Sequence, residues 1–297
     1  NWLNNRVYLF FKIMINKHQN LEKFNYPFPY IKINNFLSED FFENFEKNFP
    51  KINEFKNNDR SVNRMDHDTT HGDNLYSDLL NRNSFYKKFH QYIYSEQFVN
   101  YFIDLFKDDI LKELKKGFLT KNILTYQIKP EPFEVGRIIG KKEFKKNNKE
   151  FFYPRLDIGL GLEGYGKNSG GGGIHIDNPQ RLISMLFYLG GYNKIEGGDH
   201  RVWKKSSDKN ILEIHENIKP ERNLLIAALQ NNLAFHDVNP IKYIEGSRNA
   251  FYLAISSSIP IWKSVKSDNF NLKYNKNRVK LSLIQKIKKK FLKQNYF

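Results

Sequence analysis

The chain has 297 residues, of which 40% are hydrophobic and 15% aromatic, and this composition is typical of a folded protein with a sizeable core. It contains no cysteine, so disulfides, thiolate nucleophiles and zinc–thiolate sites are excluded, and any metal must be held by His, Asp or Glu. No apolar run is long enough to cross a bilayer, and we expect a cytoplasmic protein with one domain and terminal extensions.

The formal net charge of +16 is concentrated near the C-terminus. Residues 263–293 carry eleven basic side chains against Asp268 alone, 11 − 1 = +10, which leaves 16 − 10 = +6 for residues 1–262. The charge alone therefore does not indicate a polyanionic partner. We expect residues 263–297 to form a basic tail with a terminal helix that packs on the body. Contact with nucleic acid or a membrane through this tail is the less favoured alternative.

The single domain is expected to span residues 26–262, after an N-terminal arm at residues 1–25 that is not assigned a function. Its first part, residues 26–118, is predicted to be mainly helical. Residues 30–33 are predicted to form a short strand, and Ser38 indicates the start of an amphipathic helix. The side chains of that helix expected to face inward are Phe41, Phe42, Phe45 and Phe49.

Polar, aperiodic sequence at residues 57–75 predicts a long loop, before helical spacing returns at 83–117. The loop contains an H-x-D pair, His71 and Asp73, which we interpret as an ordinary polar pair because no suitably placed second histidine accompanies it.

From residue 120 to 258 the pattern changes to short β-branched and aromatic runs separated by Gly-rich or Asn-rich turns. This pattern is typical of an antiparallel sandwich or barrel, so the fold class is predicted to be mainly β with flanking helices. The candidate strands are 124–128, 156–162, 181–189, 200–203, 212–215, 224–229, 234–238 and 251–256.

A second H-x-D motif lies in the run GGGGIHIDNPQ, where His175 and Asp177 are two residues apart. In an extended segment such residues point to the same face and can reach one metal ion. His236 follows Asp177 by 236 − 177 = 59 residues. Two imidazoles and one carboxylate form the facial triad typical of non-haem Fe(II) oxygenases, with three positions open for an oxo-acid and dioxygen. An ordinary hydrogen-bonded set of residues is the alternative.

Arg248 is the candidate clamp for the far carboxylate of such an oxo-acid. It lies 248 − 236 = 12 residues after His236, at the start of an apolar strand. Its planar guanidinium can bind both oxygens of a carboxylate at once.

Five segments carry a resemblance to a known family: YPFPYIKINNFLSEDFFENF, HIDNPQRLISMLFYLGGY, GGDHRVW, FHDVNPI and GSRNAFYLAIS. In this order they resemble the 2-oxoglutarate/Fe(II) dioxygenases of the prolyl-4-hydroxylase-like group, across roughly residues 26–258. The resemblance implies a double-stranded β-helix (jelly-roll) core with the metal at one mouth. It departs from the family at Ala250, where an Arg-x-Ser pattern would place a serine that touches the cosubstrate.

The expected function is a hydroxylase that uses Fe(II), 2-oxoglutarate and O2, releases succinate and CO2, and acts on an unidentified small-molecule, glycan or peptidyl substrate. The catalytic and metal-binding residues would be His175, Asp177 and His236, with Arg248 binding the cosubstrate. The alternatives are a jelly-roll metal enzyme that uses no oxo-acid and an inactive binding module of the same fold.

Four further side chains are not assigned to the site. Tyr188 lies in the predicted strand after the second H-x-D motif, where it could hydrogen-bond the cosubstrate, but it is expected to be a core residue. His200 is expected to be a solvated turn histidine. Arg155 and Asp157 alternate on one strand, where a cavity-facing pair and a surface ion pair are equally plausible.

Overall fold

The structure is a computed structural model, which describes residues 15–16, 20–55, 62–67, 74–119, 123–129, 150–165, 173–206, 211–263 and 271–272. The first H-x-D motif, at His71 and Asp73, lies outside the described residues. So does the expected terminal helix of the basic tail.

Helices gather in the N-terminal part, where their buried faces are rich in phenylalanine. The first helix begins after Ser38 as expected, although the Ser38 side chain makes no capping hydrogen bond. Phe41, Phe42 and Phe45 are buried, whereas Phe49 is partly buried against the same core. The helices of the described part are α1 (Glu39–Lys47), α2 (Leu75–Arg82), α3 (Ser84–Ile93), α4 (Glu96–Leu105) and α5 (Lys107–Lys115), with 3-10 turns at Ile52–Glu54 and Ile123–Thr125.

The predicted helical region at residues 83–117 is interrupted twice, at Ser95 and at Phe106, and only the Ser95 side chain makes a capping hydrogen bond there. Asn83 accepts hydrogen bonds from the backbone N–H groups of Phe85 and Tyr86, so α3 begins there. Ser95 accepts from the N–H of Phe98 and begins α4. One predicted helical region is therefore three short helices. None of the described helices has both the length and the apolar character that a membrane-spanning segment needs.

Twelve strands of the described part form two sheets. The larger sheet has the order β1-β2-β9-β6-β11-β5-β3, with β4 also paired to β5, and the smaller has the order β10-β7-β8-β12. All pairings are antiparallel except β4 with β5 and β12 with β8. The strands are β1 (Asn20–Phe24), β2 (Tyr30–Asn34), β3 (Val62–Asp66), β4 (Gln127–Ile128), β5 (Phe151–Gly161), β6 (Arg181–Glu196), β7 (His200–Lys205), β8 (Ile211–Ile218), β9 (Leu224–Leu229), β10 (His236–Val238), β11 (Tyr243–Ser257) and β12 (Asn271–Leu272).

Both faces of the larger sheet are covered. On one face Phe187 of β6 and Phe251 of β11 pack against the helices, with Phe251 stacked on Phe89 of α3. On the other face Tyr188 and Ala250 belong to a buried cluster that also contains Val202 and Ile218 of the smaller sheet. The two sheets therefore face each other across this cluster. The fold is mainly β with flanking helices and a jelly-roll core, as predicted.

The prediction was wrong for part of the loop at residues 57–75, because Val62–Asp66 forms strand β3 on the edge of the larger sheet. The segment lacks the hydrophobic alternation of a typical strand, because Met65 is buried on the helix side of the sheet and the polar Asp66 is buried on the opposite side. Within the segment expected to be an arm, Asn20–Phe24 forms β1. Within the expected tail, Asn271–Leu272 forms β12 beside β8.

Strand β6 is also longer than the sequence indicated, running to Glu196 instead of stopping near residue 189. Gly190 and Gly191 look like a turn in the sequence, but they continue the strand with φ angles of +77° and +87°. The register between β6 and β11 shifts beside them. Glycine tolerates this backbone conformation, so the pair bends the strand without ending it.

Candidate metal centre

His175 and His236 lie side by side although they are distant in the sequence. Their backbones form an isolated antiparallel bridge, and their ring centroids are 4.5 Å apart. His236 pairs in register with Val202, which faces the layer between the sheets. The structure brings Asp177 to the same place, and one ligand atom from each of His175, Asp177 and His236 lies within 4.8 Å of the others. Such a group has the composition and spacing to hold a metal ion.

Each imidazole is oriented by a backbone carbonyl. The Nδ1 of His175 is 2.7 Å from the carbonyl oxygen of Gly173, and the Nδ1 of His236 is 2.9 Å from that of Ala234. Because a carbonyl oxygen can only accept, Nδ1 carries the proton in both rings. The Nε2 lone pairs are therefore available to a metal.

Asp177 is held by two residues at the start of β6. Arg181 donates to its Oδ1 over 2.9 Å, and the Ser184 hydroxyl donates to its Oδ2. Burial alone would raise the pKa of Asp177, but Arg181 and the two histidines outweigh burial and hold that pKa well below its usual range. The carboxylate is thus ionised and fixed in position, as a metal ligand must be.

Strand β10, which carries His236, is anchored to β7 by its next residue. Asp237 is buried and accepts hydrogen bonds from Arg201 Nε over 2.7 Å and from the Trp203 indole over 2.9 Å. These contacts fix the strand on the side of the sheet opposite the imidazole. Burial, together with the neighbouring His175, lowers the pKa of His236, so the ring stays neutral and keeps its lone pair.

Arg248 lies fully buried on the inner face of β11. Its guanidinium donates to the carbonyl of Gly198 over 2.8 Å and to the Tyr252 hydroxyl over 3.3 Å, and it lies 4.7 Å from the centroid of Tyr165. Its Nε has no hydrogen-bond partner, and no carboxylate of the described residues forms an ion pair with it. A buried cation of this kind is costly unless an anion joins it.

Tyr188 combines a core position with a polar group that faces the site. Its ring is buried in the cluster between the sheets, and its hydroxyl is buried without a hydrogen-bond partner among the described residues. The ring centroid is 5.7 Å from the Arg248 guanidinium. Two buried polar groups without partners, Arg248 Nε and the Tyr188 hydroxyl, therefore lie near one another and fit the carboxylate of a bound oxo-acid.

The expectation that His200 is a solvated turn histidine was wrong. His200 begins β7 and is only 9% exposed, with its ring centroid 5.5 Å from that of His236. The preceding glycines make the turn, and the histidine is the first residue of the strand that follows. Burial, with His236 and Arg248 nearby, lowers the pKa of His200 to about 3.

Gly161 is a further site residue that the sequence did not single out. It pairs with Arg248 across β5 and β11, and a Cβ at this position would lie 3.3 Å from Arg248 Nε and 3.2 Å from the Ile241 side chain. The absence of a side chain lets the guanidinium lie against the strand. Only the pairing register reveals this, since a glycine in a strand can equally mark a bulge or a bend.

Arg155 and Asp157 lie on the face of β5 that is turned away from the helices. Arg155 Nε donates to Asp157 over 3.0 Å, and Arg155 also pairs with the buried Asp66 at 3.5 Å. Arg64 of β3 approaches Asp157 at 3.5 Å and stacks on the ring of Tyr252, 3.9 Å from its centroid. These charged side chains extend from the neighbourhood of Arg248 to β3 at the edge of the larger sheet.

Neither a known protein-family model nor a curated protein matches this chain. Among solved structures it is similar to a prolyl 4-hydroxylase from Phytophthora capsici, at 14% identity and a TM-score of 0.44, over 76% of this chain and 58% of that one. It is also similar to IDO from Bacillus thuringiensis, at 13% identity and a TM-score of 0.44, over 79% of this chain and 93% of that one. A third is a viral collagen prolyl hydroxylase from Paramecium bursaria Chlorella virus-1, in a 2-oxoglutarate complex, at 14% identity and a TM-score of 0.37, over 77% and 96%.

The chain thus spans less than two thirds of the Phytophthora protein.

Proposed function

We propose that the protein is an Fe(II)- and 2-oxoglutarate-dependent oxygenase. The observation that carries this proposal is the pairing of a three-residue ligand group with a buried cation that has no anionic partner among the described residues. His175, Asp177 and His236 present their ligand atoms within 4.8 Å of one another, and Arg248 is fully buried in the same layer between the sheets. A plain metal site has no need of such a guanidinium.

The donor set favours iron over the other common metals. Two imidazole nitrogens and one carboxylate oxygen leave several coordination positions free, and this is the pattern of non-haem Fe(II) oxygenases. When bound, the iron would supply activation of O2, coupled to conversion of 2-oxoglutarate to succinate and CO2 and to hydroxylation of a C–H bond.

The residues of this chain would bind and orient the reactants. Arg248 would bind the far carboxylate of 2-oxoglutarate through a charge-assisted pair, with the Tyr188 hydroxyl as a second donor. The Tyr188 hydroxyl would also replace the cosubstrate contact of the serine in the family's Arg-x-Ser pattern, a contact that Ala250 cannot make.

A small molecule, a glycan or a peptidyl group would each suit this core as substrate, because selectivity in this fold resides in loops around the mouth. Two alternative functions differ from the proposal in what they bind and release. A jelly-roll metal enzyme without an oxo-acid would bind iron but not 2-oxoglutarate. An inactive binding module would produce no succinate under any condition.

The test is an anaerobic titration of 2-oxoglutarate into the Fe(II)-loaded protein, following the metal-to-ligand charge-transfer band of an iron-bound oxo-acid. Admission of O2 should then yield succinate, slowly without substrate and faster when a correct substrate is added. The variant His236→Ala should bind no iron and give no band.

The matched control is His215→Ala, because His215 is an exposed histidine on β8 whose ring contacts Tyr26 rather than the metal group. It should behave like the unmodified protein. An unmodified protein that binds iron but shows neither the band nor succinate would refute the proposed function.

A further inference from the structure

His200 lies beside the proposed cosubstrate site, next to the metal-ligand group and two residues after the turn that contacts Arg248. Its ring contacts His236 of the ligand group on one side. On the other side, two residues earlier in the chain, the carbonyl of Gly198 accepts a hydrogen bond from Arg248. In the sheet, His200 pairs with Ile218, which belongs to the buried cluster between the sheets, so its side chain faces the same layer.

His200 is only 9% exposed, and its ring nitrogens make no hydrogen bond to any described residue. The Nε of Arg248 and the hydroxyl of Tyr188 are, in addition, fully buried without a partner among the described residues. A buried polar group without a partner is unfavourable, so a ligand that supplies one to Arg248 and Tyr188 is expected. His200, Arg248 and Tyr188 thus offer polar groups without partners among the described residues in the layer between the sheets, as a site for a small polar anion would require.

We propose that His200 is a third cosubstrate-binding residue, which donates a ring N–H to an oxygen of the oxo-acid held between the metal and Arg248. This inference rests on the proposed function. An oxo-acid oxygen can only accept, and the imidazole supplies a donor in a place where an apolar residue would supply only packing. His200 would therefore fix the angle at which the cosubstrate lies, in addition to the anchors at its two ends.

A fourth metal ligand is the other role open to a histidine in this position. The group of His175, Asp177 and His236 is already complete for an oxygenase site, and His200 is absent from the set of ligand atoms within 4.8 Å of one another. The roles of metal ligand and cosubstrate donor differ in which affinity the loss of His200 would lower. Loss of a metal ligand weakens iron, whereas loss of a cosubstrate donor weakens only the oxo-acid.

The experiment compares His200→Leu with His200→Gln by two binding measurements under nitrogen, namely Fe(II) affinity by equilibrium dialysis and 2-oxoglutarate affinity by the charge-transfer band. Leucine fills similar space without a donor, and glutamine restores an N–H donor. We expect His200→Leu to keep iron affinity and to bind 2-oxoglutarate roughly ten- to a hundred-fold more weakly. His200→Gln should recover at least part of that loss. His215→Leu serves as the control on an exposed histidine.

Three outcomes would overturn the inference: unchanged 2-oxoglutarate affinity in His200→Leu, weakened iron binding in that variant, or an equal loss in the leucine and glutamine variants, which would indicate packing alone. Absence of the band in the unmodified protein would instead refute the proposed function. The two failures are therefore distinguishable.

Discussion

His175 and His236 each donate a backbone N–H to the other's carbonyl oxygen, over N–O distances of 3.0 and 2.9 Å. This pair of hydrogen bonds joins residues that are 236 − 175 = 61 positions apart. The spacing of the two imidazoles is therefore set by the backbone and does not need the metal. Such preorganisation lowers the cost of binding an ion, because the ligands are already ordered.

The position of the carboxylate ligand, Asp177, depends instead on neighbouring side chains, and this gives the first prediction. Arg181→Ala removes the cation that donates to Asp177 over 2.9 Å. A residue that orients a metal ligand typically contributes ten- to a hundred-fold in metal affinity. We therefore expect Arg181→Ala to weaken Fe(II) binding by roughly this factor, measured by equilibrium dialysis under nitrogen.

The control for this prediction is Arg82→Ala. Arg82 is an arginine on α2 that is 54% exposed and pairs with Glu54. Its loss should leave iron affinity unchanged. Equal iron affinity in Arg181→Ala and the unmodified protein would show that Arg181 does not orient the ligand.

The sequence predicted those parts of the site that depend on local spacing. Residues two apart in an extended segment share a face, and this spacing alone predicts that His175 and Asp177 lie together. The distant His236 and Arg248 were chosen by their places in strands and by family resemblance. The structure puts both in the layer between the two sheets. The strand pattern indicated an antiparallel sandwich or barrel, and the family resemblance implied the jelly-roll core.

The features that the sequence did not reveal depend on register and burial. Gly161 matters only because it pairs with Arg248. His200 was misjudged because a histidine after two glycines looks solvated, whereas it begins a buried strand. Strand β3 was missed because Asp66 is polar but buried, so hydrophobic alternation could not mark it.

A second prediction concerns pH and a histidine outside the metal group. Burial chiefly, with the neighbouring His67 imidazole, lowers the pKa of His90 from 6.5 to about 4. Between these values the unfolded chain binds a proton at this residue and the folded chain does not. The free energy of unfolding should therefore fall as the pH is lowered from about 6.5 to about 4, and rise as the pH is raised through that range.

The difference between 6.5 and about 4, at ~1.36 kcal/mol per pKa unit, sets an upper limit of about 3 kcal/mol on this effect. The variant His90→Gln keeps a polar partner for the Tyr76 hydroxyl, which lies 2.8 Å from His90 Nδ1. Urea denaturation at several pH values should show a smaller slope in this variant. An identical pH dependence in both proteins would contradict the prediction.

A third prediction uses the close approach of Gly161 to Arg248. In Gly161→Ala the new Cβ would lie 3.3 Å from Arg248 Nε, so the guanidinium must shift slightly. Gly161→Val adds two further carbon atoms and should displace it more. We expect 2-oxoglutarate affinity to fall in the order Gly, Ala, Val, while Fe(II) affinity stays constant. If iron is lost in parallel with the oxo-acid, the substitution has disturbed the sheet rather than the clamp.

The last prediction concerns Arg248 itself, because a metal enzyme without an oxo-acid has no need of this guanidinium. Arg248→Ala removes the only charge expected at the far carboxylate and leaves His175, Asp177 and His236 untouched. Deleting one partner of a buried charge pair costs ~2–5 kcal/mol, which corresponds to roughly thirty-fold or more in affinity. The 2-oxoglutarate affinity of Arg248→Lys should lie between those of Arg248→Ala and the unmodified protein, since lysine keeps the charge but loses the planar fork. Anaerobic titration of each Fe(II) protein with 2-oxoglutarate measures the three affinities, and equal affinity in Arg248→Ala and the unmodified protein would exclude the clamp.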